Sequence, residues 1–96
     1  MERLAVMARL RPGTAEDAAR LIGAGPPFDP AEAGFERHAV FLGNDYVVFV
    51  FEGEDAGRRV AELLNDPVPA AAFSSWAPYL EGTPTLAHEA YTWEHP

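Results

Sequence analysis

The fold of this chain is decided by the stretch FERHAVFLGNDYVVFVFE, residues 35–52. Two apolar runs, residues 39–42 and 46–51, flank the sequence Gly43-Asn44-Asp45. These three residue types take the positive φ angles that tight hairpin turns require. The stretch therefore predicts a β-hairpin.

The register of this hairpin depends on the length of its turn. A two-residue turn at Gly43-Asn44 would place His38 opposite Phe49. A three-residue turn would place His38 opposite Val50, and a shift of one residue moves a side chain to the other face of the sheet. The sequence leaves both registers open.

The second run of the hairpin, residues 46–51, is apolar at every position. Successive side chains of a strand point to opposite faces, so both faces of this strand carry bulky apolar groups. A sheet with one face in water has no need of this pattern. We therefore expect both faces to be covered.

Period-two alternation predicts a first strand over residues 3–11 and a last strand over residues 86–93. An aspartate before a proline predicts a single helical turn over residues 30–33. Between Pro67 and Thr85 lies an aromatic segment with the spacing of a short helix, broken by Pro78. The residues at this spacing are Phe73, Trp76, Ala77 and Leu80. These elements precede and follow the hairpin in the chain.

Two helices are predicted between the strands. The first runs over residues 15–22, with Thr14 as its N-cap. The second begins after residues 54–55 and ends near Leu64, with Leu64 on its buried face. Gly and Pro follow the first helix and stop it.

The order strand, helix, strand, strand, helix, strand predicts one α+β domain over residues 1–96. It matches the ferredoxin-like βαββαβ plan, in which a four-stranded antiparallel sheet carries two main helices on one face. The other face of the sheet is left open. The apolar strand at residues 46–51 then needs a second cover.

The composition excludes several classes of function. The chain has seven Arg, no Lys and a net charge of −8, which disfavours nucleic acid and anionic membranes as partners. It has no Cys, so it lacks disulfides, a thiolate nucleophile and thiolate-based metal sites. No run approaches the ~20 apolar residues of a membrane span, and no targeting peptide is recognisable, so a cytoplasmic protein is predicted.

The open apolar face, the short acidic chain and the aromatic segment around Trp76 resemble the dimeric α/β barrel superfamily, which includes antibiotic-biosynthesis monooxygenase-like proteins. The resemblance implies a homodimer in which two ferredoxin-like sheets pack face to face. It also implies a cleft or lumen that holds a small apolar or aromatic molecule. Two functions follow from it: a binding protein without catalytic machinery, or a cofactor-independent monooxygenase or isomerase of aromatic or polyketide-like substrates.

The haem-degrading branch of this superfamily is a third alternative. Its members would show an Asn on the first strand, a Trp, and a His on or after the following helix. Trp76 matches by order, but the first strand has no Asn and His88 falls in the predicted last strand. No cofactor is therefore predicted.

His38 and His88 are the candidate general bases, because imidazole is the side chain that most often moves protons near neutral pH. The alternative for each is a structural His that a neighbouring group satisfies. The spacing of the histidines lacks the i, i+4 pair of a helical metal site, so no metal site is predicted.

Charged side chains give a second set of candidates. Arg9 and Arg37 are candidates to hold a ligand carboxylate or phenolate, because guanidinium is the only fixed cation in the chain. The alternative is that they pair with surface carboxylates such as Glu36 or Glu89. Glu52 and Glu89 would be candidate bases if they were desolvated.

The aromatic residues Phe73, Trp76 and Tyr91 are predicted to contact the ligand. An aromatic wall is what a flat apolar molecule needs. Packing in the core or in a dimer interface explains the same residues equally well. The two interpretations stay open at this point.

Overall fold

A computed structural model describes residues 1–65 and 73–96. Its strands are β1 (Glu2–Leu10), β2 (Arg37–Leu42), β3 (Tyr46–Gly53) and β4 (Leu80–His88). Its helices are α1 (Ala15–Gly23), α2 (Ala56–Asn65) and a 3₁₀ helix over Ser74–Tyr79. Neither α-helix in these ranges combines the length and apolar character needed to cross a bilayer.

The strands form one antiparallel sheet in the order β2-β3-β1-β4. With α1 between β1 and β2, and α2 between β3 and β4, this is the ferredoxin-like βαββαβ arrangement. The predicted α+β class and element order are therefore confirmed. The two apolar strands β1 and β3 lie side by side at the centre of the sheet.

The two faces of the sheet have different cover. The helix face packs against α1 and α2 and contains Leu4, Val6, Ala8, Val47, Phe49 and Phe51. The open face has no cover from the described part of the chain. Its apolar centre consists of Ala5, Met7, Phe41, Val48 and Val50. The helices therefore explain the apolar side chains of residues 46–51 on one face of the sheet but not on the other.

The hairpin turn differs from both predicted registers. The structure pairs His38 with Phe51, and the Gly43 amide donates to the Tyr46 carbonyl at 2.8 Å, so the turn residues are Asn44 and Asp45. No residue in this turn has a positive φ.

A contact with another strand explains this register. The carbonyl of Asp45 accepts a hydrogen bond from the Leu10 amide at 2.8 Å, so the turn is tied to the end of β1. The observed register is shifted by two residues from the register predicted for a two-residue turn at Gly43-Asn44. His38, opposite Phe51, therefore lies on the face of the sheet that packs against the helices.

The prediction for the last strand is wrong in its bounds. β4 spans Leu80–His88, whereas the sequence pattern predicted residues 86–93. The reason is that β4 pairs with β1, and His88 already lies opposite Leu4 near the beginning of β1. Few β1 residues remain for the chain to pair with beyond His88, so residues 89–96 belong to no strand, although the Glu89 amide still donates to the Arg3 carbonyl at 3.3 Å.

Local details of the helices also differ from expectation. Thr14 precedes α1 but does not cap it, because its hydroxyl donates to the Arg11 carbonyl at 2.7 Å instead. In α2 the buried stripe contains Val60 and Leu63, whereas Leu64 is 51% exposed. Pro78 lies within the 3₁₀ helix and does not break it.

The predicted turn at residues 30–33 is present, but as a hydrogen-bonded turn without a regular helix. The Asp29 carboxylate accepts a hydrogen bond from the Ala31 amide at 3.0 Å, as an N-cap residue does. The Ala33 amide then donates to the Asp29 carbonyl at 3.0 Å. This segment carries Phe28 and Phe35 to the edge of the core. The part of the predicted aromatic segment before Phe73 lies outside the described residues.

Candidate functional site

A cavity of about 190 Å³ lies between the sheet and the helix layer. Its walls are apolar side chains from the sheet, from α2 and from the 3₁₀ helix, among them Val6, Phe49, Val60, Leu63, Phe73 and Trp76. Water in this cavity would find few hydrogen-bond partners on its walls, because the lining side chains are apolar. The site is therefore suited to an apolar guest.

The 3₁₀ helix supplies the aromatic wall of this cavity. Residues three apart lie above one another in a 3₁₀ helix, so Phe73 and Trp76 reach inward from the same side. Trp76 is 7% exposed and packs edge to face on Phe49, with ring centroids 5.2 Å apart. The intervening Ser74 and Ser75 are exposed.

A smaller cavity of about 70 Å³ adjoins the first. Phe49, Phe73 and Trp76 form a wall common to both, and the far side of the smaller cavity is bounded by Phe28 and His38. The predicted base His38 and two predicted ligand contacts, Phe73 and Trp76, therefore belong to one site.

His38 is held in a fixed orientation within this apolar site. Its Nδ1 donates to the Val50 carbonyl at 2.9 Å, since a carbonyl oxygen only accepts. Its ring stacks on Phe51 at 4.6 Å between centroids. Burial lowers the pKa of His38 below its ordinary value, and the hydrogen bond to Val50 opposes that effect. The lowered pKa favours the neutral imidazole, and with Nδ1 as the donor the lone pair lies on Nε2.

One end of the open face is an ion-pair cluster centred on Glu52. The Arg3 Nε lies 2.8 Å from the Glu52 carboxylate and 2.9 Å from Glu89. Arg37 donates to the other Glu52 oxygen at 3.2 Å. Glu52 is buried between these guanidinium groups, so the two carboxylates neutralise arginines and do not sit in an apolar pocket where they would act as bases.

The opposite end of the open face carries Arg9. Its Nη2 donates to the Tyr46 hydroxyl at 3.0 Å, and its guanidinium carbon lies 5.5 Å from the centre of the Tyr46 ring. In the described part of the chain Arg9 makes no ion pair with a carboxylate, unlike Arg37. The two predicted anion-binding arginines therefore lie at opposite ends of the open face and do not form one site.

The remaining candidates lie apart from the cavity. His88 is exposed on β4, at the opposite edge of the sheet from His38. Tyr91 is 82% exposed in the extended residues after β4. Within residues 1–65 and 73–96, no cluster of three or more His, Asp or Glu side chains is arranged to hold a metal ion.

Sequence reasoning missed Phe28, Phe49 and Tyr46 as site residues. The sequence pattern indicates Phe49 only as part of the apolar strand over residues 46–51. Because side chains alternate along a strand, the sequence alone indicates that Phe49 and Tyr46 lie on opposite faces of the sheet. Placing them beside Trp76 and Arg9 also needed the strand pairing, which residue spacing does not supply.

The chain matches no protein-family model and no curated protein. It is similar in structure to tetracenomycin F2 cyclase from Streptomyces glaucescens, a type-II polyketide cyclase, with a TM-score of 0.74 and 21% identity over 98% of each chain. It is also similar to NE2512, a protein of unknown function from Nitrosomonas europaea. That comparison gives a TM-score of 0.65 and 22% identity, over 99% of this chain and 94% of the other.

These similarities show the fold. The chain has the ferredoxin-like α+β fold of its structural neighbours over nearly its whole length. The ferredoxin-like fold that the resemblance to the dimeric α/β barrel superfamily implied is confirmed. Function is not transferred by fold alone, so it has to be argued from the site.

Proposed function

We propose that this chain forms a homodimer that binds a small apolar or aromatic molecule between its sheet and its helices. The observation that carries the proposal is the cavity of about 190 Å³ with apolar walls. An apolar cavity of about 150 Å³ is enough to bind benzene. A ligand of one or two fused rings therefore matches this volume, and the ring faces of Phe73 and Trp76 suit a flat molecule.

The composition of the open face supports the homodimer. Its centre is apolar and includes Phe41, which is 60% exposed, and Met7. Its charged groups are confined to the two ends, around Glu52 and around Arg9. A hydrophobic centre with a polar rim is typical of a protein interface. The dimeric state implied by the superfamily resemblance would cover this face.

Tryptophan fluorescence tests the ligand site, because the chain has two Trp and only one borders the cavity. Titration with naphthalene is expected to change the emission of Trp93→Phe, which retains Trp76. The matched variant Trp76→Phe retains only Trp93, which is 68% exposed in the extended C-terminal residues, and its emission is expected to stay constant.

The same titration defines the result that would overturn the proposal. Equal responses in the two single-Trp variants would mean that naphthalene binds elsewhere or without specificity. An unchanged Trp76 signal up to the solubility limit of naphthalene would show that the cavity accepts no two-ring guest. Circular dichroism of both variants is the control for folding.

A second candidate function is proton transfer on a bound ketone, as in a cofactor-independent isomerase or cyclase. The observation that favours it is the neutral His38 beside Trp76, with Nδ1 engaged and Nε2 free to accept a proton. The structural neighbour described as a polyketide cyclase is consistent with this chemistry. The monooxygenase form of the alternative has no comparable support from the site.

Exchange of the α-protons of 1-tetralone in D₂O, followed by NMR, tests this second candidate. His38→Asn keeps an amide donor near the position of Nδ1 for Val50 but has no basic nitrogen, so exchange is expected to slow by about a hundredfold. Because the pKa of His38 is lowered, its basic form persists below pH 6.5, and the rate is lost only at more acidic pH. His95→Asn is the control, and equal rates in both variants would exclude His38 as the base.

A further inference from the structure

A groove of about 400 Å³ crosses the open face at the end of the sheet opposite Glu52. It forms where the pairing of β4 with β1 becomes irregular. One residue separates Met7 from Arg9 on β1, but three residues separate their partners Thr85 and Glu81 on β4. Irregularities of this kind re-aim side chains and often lie near functional sites.

The floor of this groove contains a pair of hydrogen-bond donors. Arg9 and Tyr46 are direct cross-strand partners, and the Tyr46 oxygen accepts the hydrogen bond from Arg9 at 3.0 Å. Because the oxygen is the acceptor in that bond, the hydroxyl hydrogen of Tyr46 remains available to a ligand. The guanidinium has five N–H donors, and the described structure shows its side chain bonded to Tyr46 alone.

The charges near Arg9 and Tyr46 determine which kind of ligand the groove can hold. Glu81 is the cross-strand partner of Arg9 on β4 and lines the groove. The pKa of Arg9 is raised first by its hydrogen bond to Tyr46 and also by the negative charges of Glu81 and Asp45. Two carboxylates near one guanidinium make the surroundings net negative, which opposes a ligand carboxylate. A neutral oxygen with lone pairs does not meet this repulsion.

We infer that Arg9 and Tyr46 form a binding site for the carbonyl oxygen of a neutral aromatic ketone. The carbonyl accepts from the Arg9 guanidinium and from the Tyr46 hydroxyl, as two donors hold a carbonyl in acyl-transfer enzymes. The ring of the ketone contacts Met7 and the methyl groups of Thr83 and Thr85, which line the groove. This site lies on the opposite side of the sheet from the Trp76 cavity, so it goes beyond the proposed ligand site. It shares Met7 with the apolar centre of the open face, so in the proposed homodimer the groove would border the interface between the two copies.

Amide chemical shifts of the full-length protein test this site with three probes of similar size. Acetophenone, a neutral ketone, is expected to shift the amides of Arg9, Tyr46 and Thr83. Benzoate is expected to bind there at least several-fold more weakly, because it is anionic. Ethylbenzene, which lacks an oxygen acceptor, is expected to leave these amides unshifted.

Two variants separate the donors from the groove. Arg9→Gln is expected to weaken acetophenone binding about tenfold and Tyr46→Phe about fivefold. Both residues are exposed, so the fold is expected to persist. Arg11→Gln is the control, because Arg11 donates to the Leu80 carbonyl and does not line the groove.

The outcomes distinguish this site from the cavity. Acetophenone shifts confined to the amides around Trp76 would overturn the ketone site, while leaving the cavity proposal intact. Tighter binding of benzoate than of acetophenone would overturn the assignment to a neutral carbonyl. Unchanged affinity in both Arg9→Gln and Tyr46→Phe would show that the donors are not used.

Discussion

We expect Val48→Glu to convert the proposed homodimer into a monomer. Val48 lies at the centre of the open face, with Met7 on one neighbouring strand and Phe41 on the other. In a face-to-face dimer the substitution would bury one unpaired carboxylate from each subunit. The effective penalty for burying an ion is several kcal/mol, so the dissociation constant is expected to rise by roughly 10⁴-fold or more.

Sedimentation velocity over a range of micromolar concentrations measures this change. Ala61→Glu is the control, because Ala61 is exposed on α2, on the other side of the molecule from the open face. The control is expected to sediment as the unsubstituted protein does. A Val48→Glu protein that sediments as a dimer would contradict the face-to-face arrangement, as would an unsubstituted protein that is monomeric.

We expect Trp76→Ala to lower the free energy of unfolding by about 4 kcal/mol. Truncation of a buried Trp removes apolar contacts and leaves a void, and such changes cost about 3–5 kcal/mol. Here the new void would join the existing cavity beside Phe49, Phe73 and Leu80, so few atoms are placed to fill it. For a domain of this length, the loss is a large fraction of a total stability of roughly 5–15 kcal/mol.

Urea denaturation at one fixed protein concentration measures the loss, since dimerisation would make stability depend on concentration. Trp93→Ala is the matched control. Trp93 is 68% exposed in the extended C-terminal residues, so its truncation is expected to change stability by about 0.5 kcal/mol or less. Equal losses in the two variants would show that Trp76 is not part of the core.

The fold was predictable because its strongest signals are local. Alternation along β1 and the two apolar runs of the hairpin define strands without knowledge of their partners. The register was not predictable, because several short turns suit Gly43-Asn44-Asp45. In the observed register, the Leu10 amide donates to the Asp45 carbonyl. This hydrogen bond joins residues far apart in sequence, so local sequence patterns do not reveal it.

The candidate site was predictable only in part, for a related reason. Phe73 and Trp76 share a helical spacing, which indicates a common side without any tertiary information. Arg9 and Arg37 looked equivalent as isolated cations, but strand pairing gives one of them Tyr46 and the other Glu52 as its partner. These cross-strand partners depend on the registers of β1 and β2 with β3, and the sequence did not determine those registers.

The irregular segment of β4 also bears on how copies of the chain can associate. β4 is an edge strand, and Gly82 has a φ of 78° while Pro84 has no N–H to offer. An edge interrupted in this way is a poor template for adding another strand, which protects the sheet from open-ended aggregation. Association on this side is thereby directed away from strand addition and towards the open face, where the proposed pair of copies would form a closed assembly.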